Sequence, residues 1–442
     1  MSIRLVLVRH GLSSFNEKGL IQGRTDDSYL TDKGYEQAFK SGEVLSGINF
    51  DQIYSSPLVR AAETAKTIQK NLKGENNIIY DKNLLEVDLG QWSGLTINQI
   101  KNKYPENYLL WKNDPENLKL ENIHNLTYHP IQELYKQANE FIRNILNIYL
   151  EKDEANILVI GHNAILRCLI LLLIGKPKKG FRKIKLDNAS FSILNILKQS
   201  NSYKTQVECL NQTSHLDKNI PDQIGDSRIF LVRHGETNWN KEGRFQGQRN
   251  IPLNSNGKKQ AGKASKYLKE INFKKAFSSS MDRPYETAQI ILQNKSDLEI
   301  TKIEKLVEIS HGLWEGKLEK EIKEQWPDLL KNWHEKPEQV IMPEGETIKE
   351  VSERSLMAWE EICLAQKNKD LTLLVAHDAV NKTLICNILG IDFSNIWMIK
   401  QGNGGITIID IFDDPKKDNV ISALNITTHL GGILDSTASG AL

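Results

Sequence analysis

The sequence is poor in the features that mark membrane proteins, nucleic-acid binders and disulfide scaffolds. Its 442 residues hold four cysteines, Cys168, Cys209, Cys363 and Cys386. They are scattered, with no Cys-x-x-Cys pair, which argues against a disulfide framework and a structural zinc site. Neither sign of charge is in excess: 57 Lys and Arg face 56 Asp and Glu, a net charge of +1. Such a chain has no field to draw in nucleic acid or an anionic membrane. Long apolar runs are missing too. The most apolar stretch, residues 165–174, is interrupted by Arg167 and Cys168 and is too short to span a bilayer. The first residues read as a strand running into Arg9-His10, not as a cleavable signal peptide. There is no Asp/His cluster of the metal-binding kind. The expectation is a cytoplasmic globular protein with no metal, cofactor, nucleic acid or membrane as partner.

What the chain does have is a phrase used twice. The apolar run 229–232 stops abruptly at Arg233-His234-Gly235, and Asn240 follows. Near the start, Leu5-Val6-Leu7-Val8 stops at Arg9-His10-Gly11, and Asn16 follows at the same distance. Each copy places a cation and an imidazole at the end of a strand, before a residue that lets the backbone turn tightly. One Arg-His-Gly would arise by chance in roughly one such chain in twenty. Two, each closing an apolar run, are a signal.

The repeat extends further. Gln22-Gly23 is answered by Gln246-Gly247, and Leu30-Thr31-x-x-Gly34-x-x-Gln37-Ala38 by Leu253-Asn254-x-x-Gly257-x-x-Gln260-Ala261. Ser55-Ser56-x-x-x-Arg60-x-x-Glu63-Thr64 is answered by Ser278-Ser279-x-x-x-Arg283-x-x-Glu286-Thr287. Glu86, ahead of Gly90-x-Trp92-x-Gly94, is answered by Glu308, ahead of Gly312-x-Trp314-x-Gly316. Late in each copy, His162-x-Ala164 is answered by His377-x-Ala379. The offset is 224 from His10 to His234, 223 from Arg60 to Arg283, 222 from Glu86 to Glu308 and 215 from His162 to His377. A period this long is a duplicated domain with a few loop deletions, not a solenoid unit. The boundaries read as a first domain over 1–211, a linker over 212–227, a second domain over 228–430 and a flexible tail over 431–442.

Periodicity and turn signals place strands in the first copy at 3–8, 51–55, 157–160, 191–197 and 205–210. Thr31 caps a helix to about 45, and further helices cover 58–72, 130–150 and 164–174. The second copy repeats strands at 229–232, 275–278, 371–375, 406–412 and 420–426. Strands alternating with helices predict two tandem α/β domains, each a three-layer α/β/α unit with a mostly parallel sheet. Ligands in such sheets bind beyond the carboxyl ends of strands. Arg9-His10, the segment 55–60 and His162 all fall there.

Two histidines, two arginines and a carboxylate gathered at strand ends suit phosphoryl transfer through a phosphohistidine. A neutral imidazole is a competent nucleophile. Arginines supply paired planar donors for the three equatorial oxygens of the transferring group. His10 would be served by Arg9, Arg60 and His162, and His234 by Arg233, Arg283 and His377. Glu86 and Glu308 are the candidate proton donors to the leaving alcohol. No metal is required by such a scheme.

These residues are the ones by which both copies resemble the histidine phosphatase superfamily, also called phosphoglycerate mutase-like. The resemblance covers nearly the whole chain, twice. It implies that His10 and His234 are phosphorylated and that the neighbouring Arg, Arg60 or Arg283, and the late His form the phosphate pocket. It implies proton donation by Glu86 and Glu308, and phosphate contact by Asn16 and Asn240. The tandem arrangement also resembles a chloroplast and cyanobacterial type that includes phosphatases of sugar phosphates which inhibit carbon fixation. Both copies are compact after the acidic Glu and carry Gly-x-Trp-x-Gly, which favours hydrolysis over return of the phosphoryl group to substrate.

Some positions differ between the copies. The first has Leu12 where the second has Glu236. It lacks the Gly345-Glu346-Thr347 segment, and it has Gly161 where the second has Ala376. The resulting expectation is a metal-independent phosphomonoesterase acting on a small phosphorylated metabolite. The alternatives are a bisphosphate-primed mutase of the phosphoglycerate type, a phosphate-ester-binding regulator with an altered first copy, and a protein-phosphohistidine phosphatase. Specificity is expected in the loops 93–130 and 317–343. Trp92 and Trp314 read as core. His124, His129, His215, His311, His334 and His429 read as surface or loop residues without a counterpart in the other copy.

Overall fold

The computed structural model describes residues 2–74, 77–122, 126–177, 179–199, 202–295, 297–435 and 437. The chain divides into two compact units, Met1–Pro221 and Asp222–Leu442. Each is an α/β unit built on a sheet flanked by helices, as the alternation of elements predicts.

In the first unit the strands lie in the order Tyr203–Gln212, Phe191–Lys198, Ser2–Arg9, Glu154–Gly161, Gln52–Ser55, Ile78–Tyr80. The last four pair in parallel, and the first two join them antiparallel. The second unit repeats this as Val420–Ile426, Ile406–Ile411, Ser227–Arg233, Leu371–Ala376, Lys275–Ser279, Ile300–Ile303. The central strands are apolar on both faces because both faces are covered: Ile3, Leu5, Val6, Leu7 and Val8 are all buried.

Helix starts follow their caps. Thr31 accepts from Gly34 N at 3.1 Å and opens Asp32–Leu45. Pro130 opens Pro130–Tyr149, which buries Ile131, Leu134, Ala138, Phe141 and Ile145 along one stripe. Helix Asn163–Leu173 is almost wholly buried. Trp92 and Trp314 are core residues, as expected.

Several elements had no signal strong enough to read. The edge strands Ile78–Tyr80 and Ile300–Ile303 are short and half exposed, so no alternation marks them. Helices also form inside both stretches expected to be loops: Ile97–Lys103 and Pro105–Asn113, then Glu319–Gln325 and Pro327–Glu335. Pro105–Asn113 buries no residue, which removes the periodicity by which a helix is recognised.

The histidine reading needs two corrections. His311 is not at the surface. It is buried in an aromatic cluster, 5.1 Å from the Phe245 ring and 5.9 Å from that of Trp333. His215 and His429 do have counterparts, namely each other: their Nε2 atoms sit 3.0 Å from Ala189 O and 3.1 Å from Gly404 O. Those two backbone positions are equivalent, both at positive φ. His334 is exposed and His129 half-buried, whereas His124 lies outside the described residues. Within the stretch 212–227, His215 bonds Ser41 and Asp217 pairs with Lys40 in the first unit, whereas Ile224 N bonds Asp410 in the second, and the division between the units falls after Pro221. Of the tail, residues 436 and 438–442 lie outside the described residues, and Asp435 accepts from Asn425 at 3.2 Å. Among the described residues no helix is long and apolar enough to cross a membrane.

Register positions the site. In the first sheet Arg9 pairs with Gly161 and Ser55 with Ile160, so three strands end at one level. In the second sheet Arg233 pairs with Ala376 and Ser278 with Val375. The residues that follow each strand end are therefore delivered to one place.

The second unit also buries an ion pair. Arg228 binds Asp410 through Nε at 2.6 Å and Nη2 at 3.0 Å, with side chains 4% and 0% exposed. Ser422 Oγ at 2.6 Å and Ile224 N at 3.1 Å complete the shell of Asp410. Removing one partner strands the other charge. Asp410→Ala is expected to destabilise the second unit by about 3–5 kcal/mol in urea unfolding, and Arg228→Met/Asp410→Leu by much less.

Candidate active site

His10 and His234 begin immediately after a central strand, and their amides make the last ladder bonds, to Gly161 O at 3.0 Å and Ala376 O at 3.1 Å. Each ring is oriented by its own neighbour. Nδ1 lies 2.7 Å from the carbonyl of the following glycine in both copies. A carbonyl only accepts, so Nδ1 carries the proton and a neutral ring keeps a lone pair on Nε2. The glycine is required by contact rather than by positive φ. A Cβ on Gly11 would lie 2.4 Å from Gly34 O, and one on Gly235 would lie 2.4 Å from Gly257 O. Its N–H is fixed by Thr64 Oγ1 or Thr287 Oγ1, each at 3.1 Å.

Arg60 and Arg283 stand in the first turn of the next helix and are 0% exposed. Their Nη atoms are spent on carbonyls: Thr25 O and Gly23 O at 2.8 Å for Arg60, Arg249 O at 2.9 Å and Gly247 O at 2.8 Å for Arg283. This explains the repeated Gln-Gly, since Gly23 and Gly247 adopt positive φ to aim those carbonyls. Nε is left facing inward. In the second copy it lies 3.2 Å from His234 Nε2, and in the first it has no partner. Arg9 and Arg233 give one Nη1 bond each, to Leu186 O at 2.7 Å and Gln401 O at 2.5 Å, and leave Nε unsatisfied.

The late histidines complete the cluster. His162 and His10 have ring centroids 5.0 Å apart, and His377 and His234 are 5.1 Å apart. Ser56 Oγ lies 2.8 Å from His162 Nε2, and Ser279 Oγ lies 2.9 Å from His377 Nε2. With these hydroxyls donating, Nδ1 of each late histidine keeps its proton, and that buried donor has no partner. Buried polar groups are nearly always satisfied, so a set of unpartnered donors converging with the arginines suits an anion.

Glu86 and Glu308 take the start of the helix that follows the late histidine. Glu86 accepts from Ala164 N at 3.1 Å and Ile165 N at 3.2 Å, and Glu308 accepts from Asp378 N at 3.1 Å. Burial, then the Asp378 carboxylate, pushes the Glu308 carboxyl above the ordinary range, against the pull of Arg283. Asn16 and Asn240 stand behind the reacting histidines, tied to Ser13 and Thr237.

Residues missed from sequence are Asn188 and Asn403. Their amides donate to the His10 and His234 carbonyls at 3.0 and 3.1 Å and reach Asn16 and Asn240 at 3.1 and 3.5 Å. The signal was present: they are 215 apart, the offset of the late histidines. Leu12, by contrast, removes no site group. Glu236 turns its carboxylate to Asn254 at 2.8 Å, and the backbone amides of Leu12 and Glu236 are held alike by Gln37 and Gln260 at 2.8 Å.

A family model described as histidine phosphatase superfamily (branch 1) matches residues 5–208 and 229–425. The chain belongs to the histidine phosphatase superfamily. This histidine phosphatase chain is 28% identical over 459 residues to a 2-carboxy-D-arabinitol-1-phosphatase of Triticum aestivum, across 97% of this chain and 86% of the relative. It is 34% identical over 204 residues to phosphoserine phosphatase 1 of Hydrogenobacter thermophilus, across 46% of this chain and 94% of the relative. Among solved structures, Bacillus stearothermophilus YhfR matches with 30% identity and a TM-score of 0.42, across 44% of this chain and 95% of that one.

All four histidines of the two clusters are held well below the ordinary imidazole range, by burial first and then by Arg60 or Arg283. In NMR spectra of 15N-histidine-labelled protein, His10, His162, His234 and His377 are expected to keep neutral-tautomer shifts from about pH 8 down to about pH 6. A protonation step in that window at any of them would contradict the cluster described.

Proposed function

We propose that the chain is a phosphomonoesterase that acts on small phosphorylated metabolites through a phosphohistidine on His10 and His234. One observation carries the reading. In both copies donors from two arginines and an imidazole, all unsatisfied save Arg283 Nε, which already lies on His234 Nε2, surround a neutral histidine whose Nε2 keeps its lone pair. Nε2 attacks phosphorus, forming the N–P bond as the ester P–O bond breaks. The electron pair leaves on the alcohol oxygen, which takes the proton of Glu86 or Glu308. Water then attacks the phosphohistidine, gives its proton to the same carboxylate, and releases phosphate and free imidazole. The arginines and the late histidine stabilise the equatorial oxygens throughout. Asn16 and Asn240 steady the segment behind the nucleophile. The phosphatase names of the long-matching and half-matching relatives support hydrolysis over transfer.

Phosphate release would be assayed in EDTA on phosphoserine, 3-phosphoglycerate, sugar phosphates and α-ribazole phosphate. His10→Ala/His234→Ala should lose release by about a thousandfold or more, and each single variant should lose only its own copy's substrates. Isomerisation of 3-phosphoglycerate after bisphosphate priming, without net release, would assign the chain to the mutases instead.

A pH profile tests the acid. Glu308 donates only when protonated, so turnover by the second copy falls as pH rises through its raised pKa. Asp378→Asn removes a charge that raises that pKa. In the His10→Ala chain this should move the alkaline limb of kcat to lower pH. A limb that stays put or moves upward would exclude Glu308 as the group reporting there.

A further inference from the structure

The two copies differ in charge at the start of the helix after the late histidine. In the second copy Asp378 opens that helix and pairs with Lys382 at 2.8 Å and Arg233 at 3.3 Å. In the first copy, at the same offset of 215, Asn163 stands for Asp378 and Arg167 for Lys382. The exchange removes the anion and keeps the cation. A second guanidinium is added, because Arg182 stands where the second copy has Trp397.

Arg167 and Arg182 share the ring of Phe181, at 5.5 and 5.6 Å from its centroid, and Arg182 also lies 4.6 Å from the Trp111 ring. Both bond only to backbone carbonyls, Arg167 to Phe181 O at 3.4 Å and Arg182 to Trp111 O. Neither forms an ion pair among the described residues, and each has a buried Nε without a partner. The Oδ1 of Asn163 is buried and unpartnered as well.

The neighbouring charges do not supply the missing anion. Arg167 is felt chiefly by Arg182 and Arg9, both cations, and then by Glu86. Glu86 is already committed to the helix amides. Asp187, which acts on Arg9, is taken by Lys185 at 3.0 Å and Asn211 at 3.0 Å. Burial and these cations bring the Arg167 guanidinium down to about 9. Two guanidiniums against one aromatic ring, with buried, free Nε–H groups and no ion-pair partner among the described residues, are costly unless an anion arrives with the substrate.

We propose that Arg167 and Arg182 bind a carboxylate of the first copy's substrate, beside the ester phosphate, and that the second copy lacks this subsite. A carboxylate offers one oxygen to each free Nε–H, and the planar guanidinium matches it. In the second copy Asp378 already occupies that electrostatic role, so an added carboxylate on the ester meets repulsion there. The proposal rests on the phosphomonoesterase reading and deepens it: the first copy takes phosphorylated carboxylic acids, and the second takes esters without the acid group.

The test uses the full chain with His234→Ala, so that only the first copy turns over. Phosphate release is measured on two ester pairs, phosphoserine against phosphoethanolamine and 3-phosphoglycerate against glycerol phosphate. The carboxylated member should be preferred in kcat/KM by about tenfold or more, and Arg167→Met should cut that preference by about tenfold, mostly through KM. Asn163→Asp, nearly isosteric and therefore safe for folding, places the second copy's carboxylate in the first and should lower the preference too. Release that continues with no preference, or with a preference untouched by both variants, overturns the subsite and leaves the phosphatase reading standing. If no ester is turned over by the first copy, the phosphatase reading fails there, and calorimetric titration of the same esters into His10→Ala/His234→Ala decides the subsite. Weaker binding of the carboxylated esters on adding Arg167→Met then supports it, and unchanged binding overturns it.

Discussion

The constraint on which the rest of the structure depends is the burial of Arg60 and Arg283. A guanidinium with no exposed surface must have its charge spread over acceptors, and here the acceptors are backbone carbonyls rather than carboxylates. Carbonyl dipoles stabilise the cation without neutralising it. The positive charge therefore remains available to an arriving anion, which a salt bridge would have cancelled. The Gln-Gly turn exists to aim those carbonyls, and the first helical turn after strand 52–55 or 275–279 exists to place the side chain between them.

The same economy governs the histidines. A ring beside two arginines in a dry site is kept neutral, and a neutral ring is a nucleophile only if its proton sits on the other nitrogen. The glycine carbonyl at 2.7 Å assigns that proton to Nδ1 in both copies. The late histidines carry their proton on the same nitrogen but present the other edge, because a serine hydroxyl takes Nε2 and leaves Nδ1–H as the free donor. Two imidazoles 5 Å apart thus play opposite roles because their second nitrogens meet different partners.

Duplication lets one scaffold be compared with itself. The elements that hold the nucleophile and the arginines are the same in both copies, down to the threonine under Gly11 and Gly235. The copies diverge one helical turn away, where Asp378 and Lys382 face Asn163 and Arg167. That is where the acid carboxyl and any second substrate charge must be managed, so a change there alters what is bound without disturbing how phosphorus is handled. The Glu308 carboxyl, raised by burial and then by Asp378, shows one side of this; the uncompensated Arg167 is the other face of the missing acid.

The sequence alone determined the duplication, the α/β class, the places of the main strands along the chain and which histidines, arginines and glutamates to look for at their ends. These depend on local pattern: apolar runs that stop at charged residues, cap signals, and spacings kept between copies. The helices in 93–130 and 317–343 and the edge strands were not legible, because half-exposed short elements carry no periodicity. His311 was taken for a surface residue because nothing local marks a histidine destined for an aromatic core. Asn188 and Asn403 share the offset of the late histidines, but a lone asparagine in a loop carries no pattern of its own. What only the tertiary structure decided is polarity at each atom. It set which nitrogen of each imidazole keeps its proton, which guanidinium atoms are spent on carbonyls, and which charges near the reacting histidine lack a partner. Those depend on groups brought together from strands over 150 residues apart, by a register that no single stretch of sequence contains.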